Sequence, residues 1–418
     1  MTQSKSCGVD FGTSNSTIGC HRPGAPLLLP LEDGKVTLPS VVFFNAEDNT
    51  TSFGRAALTD YLAGHEGRLM RSMKSLLGTN LMDGQTEVHG RAIRFRELLV
   101  QFLKELKRRA EREAGMEFSQ AVIGRPVHFV DDDAKADQLA ETTLRELARD
   151  AGFAEVAFQF EPIAAAFAYE SGITREELVL VVDIGGGTSD FTLVRLSPAN
   201  ADKTDRRDDI LATAGVHIGG TDFDKYLSLA CVMPELGLGT RLTNNNEVPS
   251  SYYFNLATWH TINFAYTQKV WRELQDVARD ARERDKLARL LKLIDCQDGH
   301  WLAQKVEEGK IALSDADNVP LQLERIAPDL VLALSRAAFN EAIAHLVAKI
   351  EDTVTSLVRA AGIGPERIDT VFFTGGSSGV PLLRERIAAM FPAAGHVEGD
   401  LFGSIGAGLA RDAFRKFG

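Results

Sequence analysis

Leu178-Val179-Leu180-Val181-Val182-Asp183-Ile184-Gly185-Gly186-Gly187-Thr188-Ser189-Asp190-Phe191-Thr192-Leu193 decides how the chain is read. Five apolar residues, three of them β-branched, predict a buried strand. An acid follows, then three glycines, a hydroxyl pair and a second acid. Glycine permits a sharp turn and leaves no side chain between backbone N–H groups and a ligand. Successive N–H groups in such a turn form a concavity that binds anions. Carboxylates repel phosphate, so Asp183 and Asp190 make sense if a divalent cation stands between them and it. The plainer alternative is a glycine hairpin turn with two solvated acids.

The pattern occurs twice. Cys7-Gly8-Val9-Asp10-Phe11-Gly12-Thr13-Ser14-Asn15-Ser16-Thr17 is again an apolar run, an acid, glycine and hydroxyls. About 170 residues separate Asp10 from Asp183, the spacing of two domains. A duplication is implied, with two turns gripping one nucleotide from both sides of a cleft.

Working outward, residues 7–60 read as a β-meander, with a strand over Val36–Phe44 that starts or lies at an edge near Pro39. Met70 to Gly78 reads as a short helix carrying Lys74 and ended by glycine. Leu99, Phe102, Leu103, Leu106 and Ala110 form the apolar face of a helix over Phe95–Arg112. Ala121 to Pro126 is a strand entering a loop, and Asp131 to Ala151 the next helix, its first-turn acids suiting the dipole. Pro162 fits the start of the helix that follows Glu161. Asn200 to Asp209 reads as a polar hairpin tip, and Val216 to Asp224 as a glycine turn before a helix. Residues from about 235 to 320 are polar and helical, with Val270, Leu274, Val277 and Ala281 at helical spacing. Val371 to Gly379 is another strand and glycine turn, and Gly403 to Leu409 lies in a final helix of small residues.

The chain has 418 residues, 44% hydrophobic and 25% charged, and a net charge of −12. That length predicts two or more domains with a large core. The acidic balance argues against a general nucleic-acid or membrane-surface binder, whose footprint would be basic. Cys7, Cys20, Cys231 and Cys296 have neither zinc nor redox spacing and read as buried thiols. No apolar run is long enough to span a bilayer, and Met1 to Ser6 lacks a signal-peptide core, so cytoplasm is expected. No P-loop Gly-x₄-Gly-Lys-Ser/Thr is present, and the nine histidines show no i, i+4 pair suited to zinc. The mixed-sign face of residues 272–289 reads as solvated helix.

With these residues in view, the sequence resembles the actin-like ATPase superfamily, and within it the ATPase domain of DnaK-type chaperones of the heat shock protein 70 family. Five ordered motifs carry the resemblance: Val9 to Ser14, Glu161 to Ala166, Asp183 to Asp190, Gly219 to Asp224 and Thr374 to Ser377. The resemblance implies an α/β, ribonuclease H-like fold of two duplicated lobes around a nucleotide cleft. Lobe I would span 1–170 and lobe II 171–418, with the helical insertion at about 235–320 and the adenosine turn at 374–379. It implies catalytic roles for Lys74, Glu161, Asp183, Thr188 and Asp190, and Mg²⁺ held through water by Asp10 and Asp183. Asp10, Gly12, Thr13, Ser14, Gly185, Gly186, Gly187, Gly219, Gly220 and Thr221 would line the phosphates. Glu307, Lys310, Ser314, Gly375, Gly376, Ser377 and Asp400 would line base and ribose, and Pro126 matches an inter-lobe switch proline. The implied cofactors are ATP or ADP and Mg²⁺, with K⁺ as a further option.

Departures accompany the match. Gly379 and Ile311 stand where arginines stack on adenine, which removes Arg–base stacking, and Asn15 replaces a tyrosine. The chain stops where the chaperones continue into a peptide-binding domain, as in the shorter proteins of the YegD type. The reading is therefore an ATP-binding, slowly hydrolysing, chaperone-like monomer with an unidentified protein partner or client. A nucleotide-dependent interaction switch without turnover is the alternative, ahead of an actin-fold small-molecule kinase or a filament former.

Overall fold

In the computed structural model, residues 5–22, 25–88, 90–130, 133–201, 203–401 and 403–418 are described. The first sheet is built from β1 (Ser6–Phe11), β2 (Asn15–Arg22), β3 (Ala25–Leu28) and β4 (Leu38–Pro39). The chain then leaves it for a small sheet of β5 (Val41–Asn45), β6 (Thr50–Phe53) and β7 (Gly67–Arg71), with α1 (Arg55–Leu62) before β7. The expected meander is thus divided between two sheets. The break falls at Ser40, whose backbone N–H donates to Ser14 O at 2.8 Å instead of continuing a strand. A hairpin of β8 (Gln85–Val88) and β9 (Arg91–Arg94) leads into α2 (Phe95–Ala114). The first sheet is completed by β10 (Gln120–Arg125) and β11 (Glu155–Phe160), with α3 (Ala134–Asp150) between them and α4 (Glu161–Glu170) after them. Its order is β11-β10-β1-β2-β3, with β4 paired to β2.

The second sheet has the order β14-β13-β12-β17-β18, from β12 (Glu177–Ile184), β13 (Ser189–Leu196), β14 (Ile210–Val216), β17 (Thr370–Thr374) and β18 (Gly395–Glu398). Between β14 and β17 run α5 (Gly220–Leu227), α6 (Ser251–Leu256), α7 (Gln268–Asp280), α8 (Arg284–Asp295) and α9 (Gly299–Ala312). A hairpin of β15 (Asn318–Gln322) and β16 (Val331–Ser335) and the long α10 (Arg336–Ala360) follow. The chain closes with α11 (Pro381–Met390) and α12 (Ser404–Phe417). In both sheets the first two strands form an antiparallel hairpin around a glycine turn, and the first strand also pairs with a parallel strand that returns later. Parallel pairing aligns the C-terminal ends of β1, β10 and β11 in one sheet and of β12 and β17 in the other, and ligands of open α/β sheets bind beyond such ends.

The helices α4 and α12 fill the seam between the sheets. Val122 of the first sheet and Val179, Val181, Val194 and Phe372 of the second share one buried cluster with Ile163, Ala164, Ala165 and Leu409. Small residues make the approach possible: a Cβ at Gly408 would collide with Ala164 O, and one at Gly8 with the backbone of Ala410. The final small-residue helix expected from Gly403–Leu409 is therefore a packing helix. Burial at this density is the favourable term that holds the two sheets together, about 25 cal/mol per Å² of apolar surface removed from water.

Local expectations were corrected in several places. Met70–Gly78 is not a helix: Met70 is taken into β7 opposite Val42, and only Met73–Leu76 forms a 3-10 turn. The helix expected from Asp131 starts at Ala134, where Asp133 caps it by accepting from the N–H groups of Lys135 and Ala136; Asp131 itself lies outside the described residues. Ala281 is buried beyond the end of α7, in extended backbone bridged to Leu242. Cys7 and Cys20 are buried, but Cys231 is half-buried and Cys296 exposed. The polar tip expected at Asn200–Asp209 contains Arg206, one of the largest fully buried side chains.

Candidate functional site

The first glycine turn joins β1 to β2 and the second joins β12 to β13. In the first, a Cβ at Gly12 would collide with Asn15 O, so only glycine closes the turn. Ser40 Oγ donates to Gly12 O at 2.7 Å and buttresses it. In the second, the Gly185 N–H donates to Thr188 O at 2.9 Å, and Asp183 and Asp190 are cross-strand neighbours. The two turns meet: a Cβ at Gly186 would strike Ser14 Oγ. Segments far apart in sequence thus bring their backbone N–H groups to one place.

Two further loops pack around that meeting point. The Gly220 and Thr221 N–H groups donate to Gly185 O and Gly186 O at 3.0 and 2.8 Å, and Thr221 Oγ1 also reaches Gly186 O at 2.8 Å. A Cβ at Gly219 would lie 2.6 Å from Gly187 N. Gly375 has φ +81°, open to glycine and strained for other residues, and a Cβ there would strike Asp183 Oδ1. Lys310 on α9 pairs with Asp224 at 2.8 Å and donates to Gly220 O at 3.2 Å. Ser377 stands beside the same glycine, so the α9 and 375–377 elements converge with the turns.

On the floor, Lys74 Nζ donates to Glu161 Oε1 at 2.6 Å, with both side chains largely shielded from water. Around this pair lie Asp10, Asp183 and Asp190. The negative charge exceeds what one lysine can balance. Burial, then Glu161, pushes the Asp10 carboxyl up to about 7, while Lys74 holds it down. Burial, then Asp190, Glu161 and Asp10, raise Asp183 well above the carboxylate range. Lys74 is raised although burial opposes its charge, because Glu161 and Asp10 favour it. A carboxylate pool with this unmet charge fits a divalent cation. Among the described residues no three His, Cys, Asp or Glu side chains converge at direct-ligand geometry.

The remaining expected residues are exposed or half-buried. Glu307 is exposed on α9, Ser314 follows its end, and Ile311 is 58% exposed. Gly379 is open, with only Leu401 Cδ1 at 3.4 Å from a Cβ built there. Asp400 precedes Leu401 in the turn before α12. Thr13 sits with Ser14 in the first turn, Gly376 opens the 3-10 turn at 376–379, and Pro126 follows β10, its carbonyl accepting from Arg125 Nε at 3.0 Å.

Residues that the sequence did not reveal close the mouth. Arg71, at the end of β7, lies 4.3 Å over the Trp259 ring and senses Glu307 and Asp224; burial pulls its guanidinium below the usual value. Tyr61 of α1 stands 3.1 Å from His300 Nδ1, and His300 Nε2 is 3.1 Å from Trp259 O. The carbonyl accepts, so Nε2 carries the proton and Nδ1 accepts from tyrosine. Burial holds His300 at about 4, neutral at pH 7.

The family model described as Hsp70 protein matches residues 6–234 and 294–409, most of the chain. The chain belongs to the Hsp70 family. The actin-like ATPase fold implied by the sequence is therefore the fold of this Hsp70-family chain, with its two mixed sheets. Among its relatives, the chaperone protein HscA of Salmonella typhimurium is 28% identical over 404 residues, covering 92% of this chain and 54% of that protein. HscA of Salmonella newport and of Salmonella dublin give the same identity and coverage. The chain spans about half the length of the curated relatives it matches. The match to the family model omits residues 235–293, which contain Trp259. Among the described residues no helix is long and apolar enough to cross a membrane.

Proposed function

We propose that this chain binds ATP or ADP in the cleft between its two sheets and slowly hydrolyses ATP, as a chaperone-type nucleotide engine. The observation that carries the reading is the meeting of the two glycine turns, Gly186 against Ser14, above four carboxylates and the Lys74 ammonium. Backbone N–H groups of residues 12–14, 186 and 187 would receive the phosphates, the Gly185 N–H closing the turn onto Thr188 O, with the hydroxyls of Thr13, Ser14 and Thr188 beside them. Mg²⁺, held through water by Asp10 and Asp183, would supply charge neutralisation at the β- and γ-phosphates. Lys74 would face the γ-phosphate, and Glu161 or Asp190 would orient the attacking water. Hydrolysis of this kind needs positioning and charge balance more than covalent chemistry. Glu307, Lys310, Ser314, Gly375, Gly376, Ser377 and Asp400 would hold the adenosine.

A second reading, a nucleotide-dependent switch with negligible turnover, has its own support. Ile311 is exposed and Gly379 is open, so neither offers a cation to stack on the base. Phosphate release from Mg-ATP by the purified protein separates the two. Slow multiple turnover supports the ATPase; tight ADP binding without phosphate release supports the switch; absence of both removes the nucleotide reading.

A further inference from the structure

Far from the cleft, a second charged cluster sits where no motif of the sequence points. Glu170 ends α4, and Arg206 and Asp209 belong to the connection from β13 to β14. Arg206 and Glu170 side chains are 0% and 1% exposed. Arg206 Nη2 donates to Glu170 Oε1 at 2.6 Å and Nη1 to Glu170 Oε2 at 2.9 Å, while Nε donates to Asp209. The remaining acceptors are used: Ser197 N–H donates to Glu170 Oε1 at 3.2 Å, and Asn200 Nδ2 to Asp209 Oδ1 at 2.8 Å. Each guanidinium nitrogen donates to a carboxylate, in the bidentate geometry that makes arginine pairs directional.

The cluster lies at one end of the seam. Phe167 of α4 has Arg206 at 5.7 Å on its ring and Arg415 of α12 at 5.3 Å. Arg415 donates to Ala201 O at 2.5 Å and to Asp412 at 2.5 Å, and Asp412 also holds Lys416 and Gln159 Nε2 of β11. The negative end of α4 favours this gathering of arginines. Elsewhere along the seam most contacts are apolar, the Tyr169 hydroxyl against Glu177 and Thr370 being a polar exception, and apolar contact is non-directional, so packed helices can slide a little against one another. A buried, bidentate charge pair has no such freedom, because breaking it leaves uncompensated charge in a low-dielectric interior.

We propose that Glu170, Arg206 and Asp209 form an electrostatic pin between α4 and the second sheet, which fixes the base of the seam and confines relative motion of the two sheets to the cleft mouth. Strand ends locate base and mouth. Glu155 and Thr370 begin β11 and β17 on the pinned side, whereas Asp10 and Asp183 lie toward the opposite ends of their strands. Among the described residues, Tyr61 reaches His300 and Asn263 across the mouth and Arg71 stacks on Trp259; Tyr61, Arg71 and Trp259 are half-buried, and none of these contacts is a paired-charge bidentate bond like that at the base. The pin bears on how the cleft of the proposed function opens, but its existence does not depend on nucleotide.

The test uses the full chain with Cys296→Ser, spin-labelled by pulsed electron resonance without nucleotide. Labels at Asp150→Cys and Glu366→Cys report the base, and labels at Asp48→Cys and Asp276→Cys report the mouth. With the pin intact, the base distance distribution should be narrow and the mouth distribution at least about twice as wide. The triple variant Glu170→Gln, Arg206→Met, Asp209→Asn removes the charges at nearly constant volume. It should widen the base distribution at least about twofold while circular dichroism stays native. Should Arg206→Met alone fail to fold, the triple variant still carries the test. An unchanged base distribution in a folded triple variant, or a base as broad as the mouth in the unsubstituted chain, would overturn the pin. Because no nucleotide is present, failure of the nucleotide reading cannot produce either result.

Discussion

Replacing Lys74 with methionine removes the one ammonium that faces Asp10, Glu161 and Asp183 while keeping the side-chain volume. Lys74 and Glu161 are only 11% and 14% exposed, so water screens the site weakly. Unit charges about 4 Å apart interact by about 4 kcal/mol at an effective dielectric of about 20. If most of that acts on charge developing at the γ-phosphate, turnover should fall by about 10² to 10³, the loss typical of one oriented donor. ADP lacks the γ-phosphate, so its affinity should change by less than about tenfold, roughly 1.4 kcal/mol. Single-turnover phosphate release and ADP calorimetry on Lys74→Met measure the two effects. Turnover within about threefold of the unsubstituted protein would refute the role, since about 0.7 kcal/mol is too little for a charge at this site. A large loss of ADP affinity with unchanged turnover would refute it equally.

Three further outcomes follow. Asp10 at about 7 and Asp224 at about 6 bind protons in the folded state that they lose near 3.8 in the unfolded chain, so their contribution to stability falls as pH rises from about 4 to 7. His300, at about 4 against 6.5 unfolded, acts oppositely between those values and equally in both proteins; the melting temperature of the unsubstituted protein relative to Asp10→Asn should therefore fall as pH rises from about 4 to 7. Gly186→Ala drives a methyl into Ser14 and separates the turns, and should weaken ADP binding by at least about tenfold while the thermal unfolding transition persists. Trp259→Ala removes a cation–π contact worth about 1 kcal/mol, so release of a fluorescent ADP analogue in stopped flow should accelerate about fivefold.

The turns were legible because geometry demands glycine there: Gly12 closes against Asn15 O, Gly186 against Ser14 and Gly375 against Asp183. Lys74 and Glu161 are 87 residues apart, and no local pattern pairs them; only resemblance to the family joined them beforehand. Local period misled at Met70–Gly78, where pairing with β5 captured Met70 and the apolar spacing suited a helix equally well. Arg206 was misread for a different reason. A run of charged residues reads as solvated unless its partner is known, and the partner is Glu170, 36 residues away on α4. Tyr61, Arg71, Trp259 and His300 come from four separate elements, so their meeting exists only in the folded chain. The departures at Ile311 and Gly379 were visible in sequence, and their exposure gives them physical content.

Calorimetric titration of ADP into the purified protein, with and without Mg²⁺, tests the central claim most directly. Burial and crowding by neighbouring carboxylates disfavour the charged forms of Asp10 and Asp183, and a divalent cation would relieve that crowding, so the account expects saturable one-site binding that is strengthened at least about tenfold by Mg²⁺. The gain should be lost in Asp183→Asn. Absence of binding heat and of any thermal shift at millimolar Mg-ADP would contradict the account, and the meeting of the two glycine turns would then need another ligand.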